Sequence, residues 1–400
     1  MLSPGDALRQ MLAAAVPAPA AERRPLAEAL DATLAADVMA VQAFPAFDNS
    51  AMDGYALRAS DVRGDRPLPV SQHIRAGERS MPLAAGTAAR IFTGAPLPAG
   101  ADSVVMQEAC EAVEGTVRVT ATLAAGSHVR RRGEDVAPGS LVLPRGRRLR
   151  PQDLGLLASV GIAAVDVYRP LRVAVLVTGN ELREPNEAPL REGEIFNSNG
   201  PMLAALVHRC GMRVVLAERV GDSEEAVARD LQDAADAADV IISTGGVSVG
   251  EADYVRAQVE RLGALSLWRI AIKPGKPLAF GRVGQVPFIG LPGNPSSVFV
   301  TFAVLARPFL LACQGREEPE PPRLAMRSGF AVATAGSREE YLRVALVQGD
   351  FGLEAVLAGN QSSGALAAAT RAQALAVVPP GTLIAPGDDV GIILLDALIP

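Results

Sequence analysis

Lys273 and Lys276 are the only lysines among 38 Lys and Arg residues, three apart in Ile272-Lys273-Pro274-Gly275-Lys276-Pro277. Arginine and lysine serve alike as solubilising charge. A chain that has turned to arginine elsewhere keeps lysine where a compact ammonium does what a planar guanidinium does not. Two ammonium groups held on a Pro-Gly turn make an anion site; a solvated surface pair is the plain alternative.

Three Gly-bearing segments follow short aliphatic runs: Thr178-Gly179-Asn180-Glu181, Ser243-Thr244-Gly245-Gly246-Val247-Ser248 and Leu291-Pro292-Gly293-Asn294-Pro295-Ser296-Ser297. Glycine allows close backbone approach, and Ser296 or Ser297 opening a helix leaves N–H groups for an anion such as phosphate. Carboxylates accompany them. Asp222 and Asp253 read either as helix N-caps or as a pair holding Mg2+ against a phosphate; the pair is expected to bind metal. Glu181 has the same ambiguity. Three further polar clusters, Asp48 to Ala56, Phe92 to Pro96 and Arg130 to Asp135, are explained equally well by turn chemistry.

The elements that must position these groups are legible in outline. The runs Arg172 to Val177, Arg213 to Leu216, Val240 to Ser243 and Phe288 to Leu291 read as buried parallel strands, alternating with helical patterns at 202–210, 224–238, 254–262 and 297–311. Such alternation predicts a doubly wound α/β domain, whose ligands sit at the strands' carboxyl ends. The Ser297 to Cys313 stretch, interrupted by Arg307-Pro308, reads as a buried helix. The expected organisation is a helical N-terminal domain (1–41 and 140–170), an inserted β-rich domain (42–139), the α/β domain (171–316) and, beyond the Pro-rich 316–322 linker, a small C-terminal β domain (322–400).

Size and composition fit this plan. Four hundred residues, 49% of them hydrophobic, can bury several cores, and a formal charge of -6 argues against a general nucleic-acid surface. Cys110, Cys210 and Cys313, like His73, His128 and His208, are scattered, indicating neither a disulfide framework nor a zinc site. The N-terminus is a poor signal peptide, so no export, no membrane and a cytoplasmic location are expected.

The segments 47–56, 91–96, 131–135, 243–254, 273–277 and 291–295 together resemble, in order and spacing, the signature motifs of molybdopterin molybdenumtransferases, the MoeA and gephyrin E-domain family. The resemblance implies a four-part chain forming a homodimer with a shared active site. It also implies insertion of molybdate into the dithiolene of adenylylated molybdopterin, with Mg2+ and release of AMP. Carried over by position, it puts catalytic residues at Asp53, Thr93, Asp135, Glu181 and Lys273, and Mg2+ ligands at Asp222 and Asp253. Substrate-binding positions fall on Ser243, Gly245, Gly246, Ser248, Lys276, Pro292, Gly293, Asn294, Arg343 and Ser363.

Two departures stand out. Asn180 replaces a carboxylate that many members carry, and Arg269 follows Trp268 where a lysine is frequent. The implied mechanism is mainly positioning, with cations and strand-end amides neutralising oxyanion charge. A gephyrin-like scaffold and a binding-only molybdopterin protein are the rival readings. The first normally carries an additional domain and a long linker, and the second accounts for residues 171–316 alone.

Overall fold

A computed structural model describes residues 1–186, 189–221, 223–246, 254–317, 320–350 and 352–398. The helix Pro4–Ala13 starts where Ser3 accepts the N–H of Asp6 and Pro4 takes the first turn. Its Ala7, Leu8 and Met11 pack into the core of the α/β domain.

The helical expectation for 5–41 and 140–170 is corrected. Helix is confined there to Pro4–Ala13, the single 3-10 turn Leu26–Glu28 and Pro151–Ser159, while Ala21–Pro25 pairs antiparallel with Ala164–Tyr168. Pro17 and Pro19 explain the first stop, since neither ring tolerates a continuing helix. Two ribbons, Val38–Met39 with Leu141–Leu143 and Asn49–Ser50 with Val129–Arg130, carry the chain into and out of the insert. The insert is a six-stranded sheet with Ala88–Ile91 and Leu68–Ile74 at its centre.

The α/β sheet runs in the order Arg213–Arg219, Arg172–Val177, Val240–Thr244, Val286–Leu291, Pro277–Val283, Gly263–Arg269. Its first four strands are mutually parallel, Pro277–Val283 runs opposite to them, and Gly263–Arg269 pairs antiparallel with Pro277–Val283. The central strands are buried on both faces, as their unbroken aliphatic runs require. The apolar segment 295–313 is a core helix of this domain, with a π-type stretch at Phe302–Ala306 ahead of Pro308, which has no N–H to give the ladder.

The C-terminal sheet closes on itself, because Glu339–Gly349 pairs with both Gly352–Leu357 and Ala374–Val378. Its edge also takes in Ile272–Lys273, parallel to Glu339 and Glu340. The lysine turn is thereby held between two domains.

Candidate functional site

The carboxyl ends of Arg172–Val177, Val240–Thr244 and Val286–Leu291 open onto one cavity of about 960 Å³. The expected three strand-end segments share it: Thr178 to Leu182, Thr244 to Gly246 and Pro292 to Pro295. The lysine turn, Lys273 to Pro277, forms another wall, and Arg338, Gln361, Ser362 and Ser363 enter from the C-terminal domain.

The glycines fit these walls for steric reasons. Gly245 has φ +81, and a Cβ there would lie 2.6 Å from Thr178 O and Oγ1. Gly275 has φ +110, and a Cβ would run into Thr301 Cγ2. Neither position accepts an L side chain without strain.

A buried residue absent from the sequence expectations, Asn199, ties the strand ends together. Its Nδ2 donates to Gly293 O at 2.7 Å and to Thr244 Oγ1 at 3.1 Å, while Thr244 Oγ1 donates to Pro292 O at 2.9 Å. Gly293 O can only accept and the Thr244 hydroxyl is already donating, so the amide orientation is fixed. Asn199 opens the Asn199–Arg209 helix, after Ser198.

The two ammonium groups are not equivalent. Lys273 Nζ donates to Glu340 Oε1 at 3.0 Å, whereas Lys276 forms no ion pair among the described residues. Both are exposed. The Glu181 carboxylate folds back beside Gly179, on the lining.

Two expected binding residues do not line this cavity. Ser243 is fully buried one residue short of the strand end, opposite Gly290. Arg343 is also fully buried and donates to Tyr341 O at 3.3 Å and Ser362 O at 3.2 Å; burial lowers its pKa. Its backbone exchanges hydrogen bonds with the Gln361 amide at 2.8 and 3.0 Å. Arg343 therefore shapes the 360–363 loop from behind. The arginine on the lining is Arg338, which donates to Ile272 O at 3.2 Å.

Asp222, Ser248 and Asp253 lie outside the described residues. Their described neighbours Gly221, Gly246 and Tyr254 line the cavity. The cap of the Glu224–Ala237 helix is Ser223, whose side chain accepts the N–H of Ala226 at 3.2 Å. Capping is thus supplied without Asp222.

The insert motifs come together elsewhere. Asp53 Oδ1 accepts from Thr93 N at 2.7 Å and Thr93 Oγ1 at 2.8 Å. These bonds, with the nearby Arg90 charge, hold its carboxyl below the usual range. Arg90, also absent from the sequence expectations, lies over the Tyr55 and Phe92 rings and donates to Gly54 O at 2.8 Å. Asp48 accepts from Arg131 Nη1 at 2.7 Å and Arg132 N at 2.8 Å, drawing the 131–135 segment alongside, and Asp135 N donates to Phe44 O. Asp53, Thr93 and Asp135 are exposed, and no insert residue lines the cavity of its own chain.

Comparison with known proteins agrees with these motifs. Three family descriptions match in succession: "MoeA N-terminal region (domain I and II)" over residues 2–161, "Probable molybdopterin binding domain" over 174–312 and "MoeA C-terminal region (domain IV)" over 325–395. The molybdopterin molybdenumtransferase of Haemophilus influenzae is 40% identical over 323 residues, 80% of this chain and 79% of that protein. That of Nostoc sp. is 38% identical over 376 residues, covering 90% and 86%. The crystal structure of a molybdopterin biosynthesis MoeA protein from Pyrococcus horikoshii OT3 matches 98% of this chain and 100% of that one, with a TM-score of 0.85 and 28% identity. With these matches in its N-terminal, α/β and C-terminal parts, the chain belongs to the MoeA family of molybdopterin molybdenumtransferases.

Proposed function

We propose that this chain inserts molybdate into the dithiolene of adenylylated molybdopterin and releases AMP, working in the cytoplasm as a homodimer. The observation that carries this reading is the lysine pair on the wall of a cavity whose other walls are Gly-rich strand ends. An oxyanion needs cations and N–H or O–H donors around it, and Lys276, Lys273, Arg338 and Ser363 offer both.

The strand-end segments at 244–246 and 292–295 bind the phosphate-bearing part of the pterin substrate, and Lys273 and Lys276 orient molybdate towards the dithiolene sulfurs. No nucleophilic side chain takes part. Glu181, on the lining, is the described carboxylate placed to accept a proton. Asp222 and Asp253, whose chain neighbours line the cavity, would hold Mg2+, supplying positive charge against the substrate phosphate. Asp53, Thr93 and Asp135 would enter from the second copy.

The test is turnover with purified protein, adenylylated molybdopterin, Mg2+ and molybdate. AMP release that depends on molybdate supports the reading. Tight pterin binding without AMP release would replace it with a binding-only role, and partner-protein clustering without either would favour a scaffold.

A further inference from the structure

A second cavity, of about 80 Å³, lies where the N-terminal segment meets the back of the α/β domain. Arg24, Asp31, Thr33, Gly211 and Arg316 contribute to its wall. The charge on this wall that has no ion-pair partner among the described residues is that of Arg316, which Asp31 attracts only at a distance. Among the same residues its guanidinium makes only two long hydrogen bonds, Nε to Thr33 Oγ1 and Nη2 to Cys210 O, each 3.4 Å.

The neighbouring charges are committed elsewhere. Asp31 accepts both Nε and Nη2 of Arg148, at 3.0 and 2.7 Å, and Arg24 pairs with Glu22. Gln314 has its amide engaged on both sides, accepting from Leu171 N at 2.6 Å and donating to Arg169 O at 2.9 Å. The carbonyl of Cys210, ending the Asn199–Arg209 helix, offers about half an elementary charge against a whole one. Burial, then the Arg148 charge, push the Arg316 pKa down to about 10. A guanidinium has five donors, so most of those on Arg316 remain to be used.

We propose that this cavity binds a small inorganic oxyanion of the phosphate or sulfate class, held by Arg316 with Thr33 Oγ1 and Arg24 beside it. Its volume suits one tetrahedral oxyanion. The bound ion clips the 21–33 segment to the end of the core helix, two parts of the chain almost 300 residues apart in sequence.

The experiment uses the full chain carrying Lys273→Ala and Lys276→Ala, which weakens the anion response of the main cavity; Arg338 and the strand-end segments remain there and contribute equally in every variant compared. Melting temperature is measured against sulfate, inorganic phosphate and, at matched ionic strength, chloride. The expected result is a saturable rise with sulfate and phosphate beyond that with chloride. Arg316→Gln in the same background should weaken the apparent affinity about tenfold or more, the scale of one lost charged hydrogen bond. Arg24→Gln, at the edge of the cavity, should weaken it less and serves if Arg316→Gln does not fold. Equal responses to sulfate and chloride, or an undiminished sulfate response in the folded variants, would overturn the site. Arg316→Gln lowering the melting temperature equally with and without anion would reduce Arg316 to a helix cap.

Discussion

At the scale of single residues, the different partners of the two lysines set different expectations. Arginine at 273 would meet Glu340 as a bidentate pair and be held away from an oxyanion, whereas at 276 it loses only ammonium geometry. Lys273→Arg should therefore impair molybdate-dependent turnover by about 2 to 3 kcal/mol. Lys276→Arg should cost less, and Arg269→Lys should be nearly silent. Wild-type kcat/KM for both Lys→Arg variants at limiting molybdate would refute the oxyanion role. Glu340→Gln releases Lys273 from its ion pair, so KM for molybdate should fall, by up to about fivefold at low salt; an unchanged or raised KM would assign Glu340 to holding the turn. The lysines were legible in sequence because an ammonium stands out in an arginine-rich chain. The placement of Arg343 behind the 360–363 loop was not, because which arginine meets the cavity depends on how that loop folds over the strand. Asn199 escaped notice because its partners, Thr244 and Gly293, are remote in sequence.

At the scale of elements, the turn that presents the lysines has a steric requirement. Gly275→Ala forces a side chain into a left-handed conformation and against Thr301, so it should destabilise by about 1 to 3 kcal/mol and abolish turnover. Adding Thr301→Ser removes the clash but not the φ penalty, so recovery should be partial. Urea denaturation of both variants separates the two contributions, and full recovery would place the whole cost in the clash. The Pro151–Ser159 helix offers a pH test. Burial raises the Asp153 pKa, but the Arg150 and Arg147 guanidiniums and the Arg150 N–H outweigh it and hold the carboxyl at about 2, below its ordinary 3.8. A folded-state pKa depressed in this way gives stability that is present above 3.8 and lost as pH falls through 2. The contribution is about 2 kcal/mol. The stability gap between wild type and Asp153→Asn should shrink between pH 6 and pH 2, and a constant gap would remove Asp153 from the acid response. Unbroken aliphatic runs made the four parallel strands legible, whereas the helical expectation failed at 15–41 and 160–170. There the backbone pairs across about 140 residues, and local composition says nothing of it.

At the scale of the whole molecule, the groups assigned to catalysis lie on two separate surfaces of one chain. Thr93 and Asp53 are hydrogen-bonded on the insert, Lys273 is on the α/β cavity, and no insert residue lines that cavity. The motif order in sequence could not reveal this separation, since one continuous chain carries both sets. If the site is completed by a second copy, Asp53→Ala and Lys273→Ala should each be inactive alone yet restore activity when subunits exchange. Random pairing makes about half of the dimers mixed, and each mixed dimer then has one site with both residues intact, so roughly a quarter of wild-type sites should return. If Asp53 and Lys273 served the same site from one chain, every site in every dimer would lack one of them, and mixing would restore nothing. Exchange must be verified independently, by mass spectrometry of differently tagged subunits, before activity is compared. Verified exchange with no recovery would confine each active site to one chain and return the Asp53–Thr93 pair to holding the insert together.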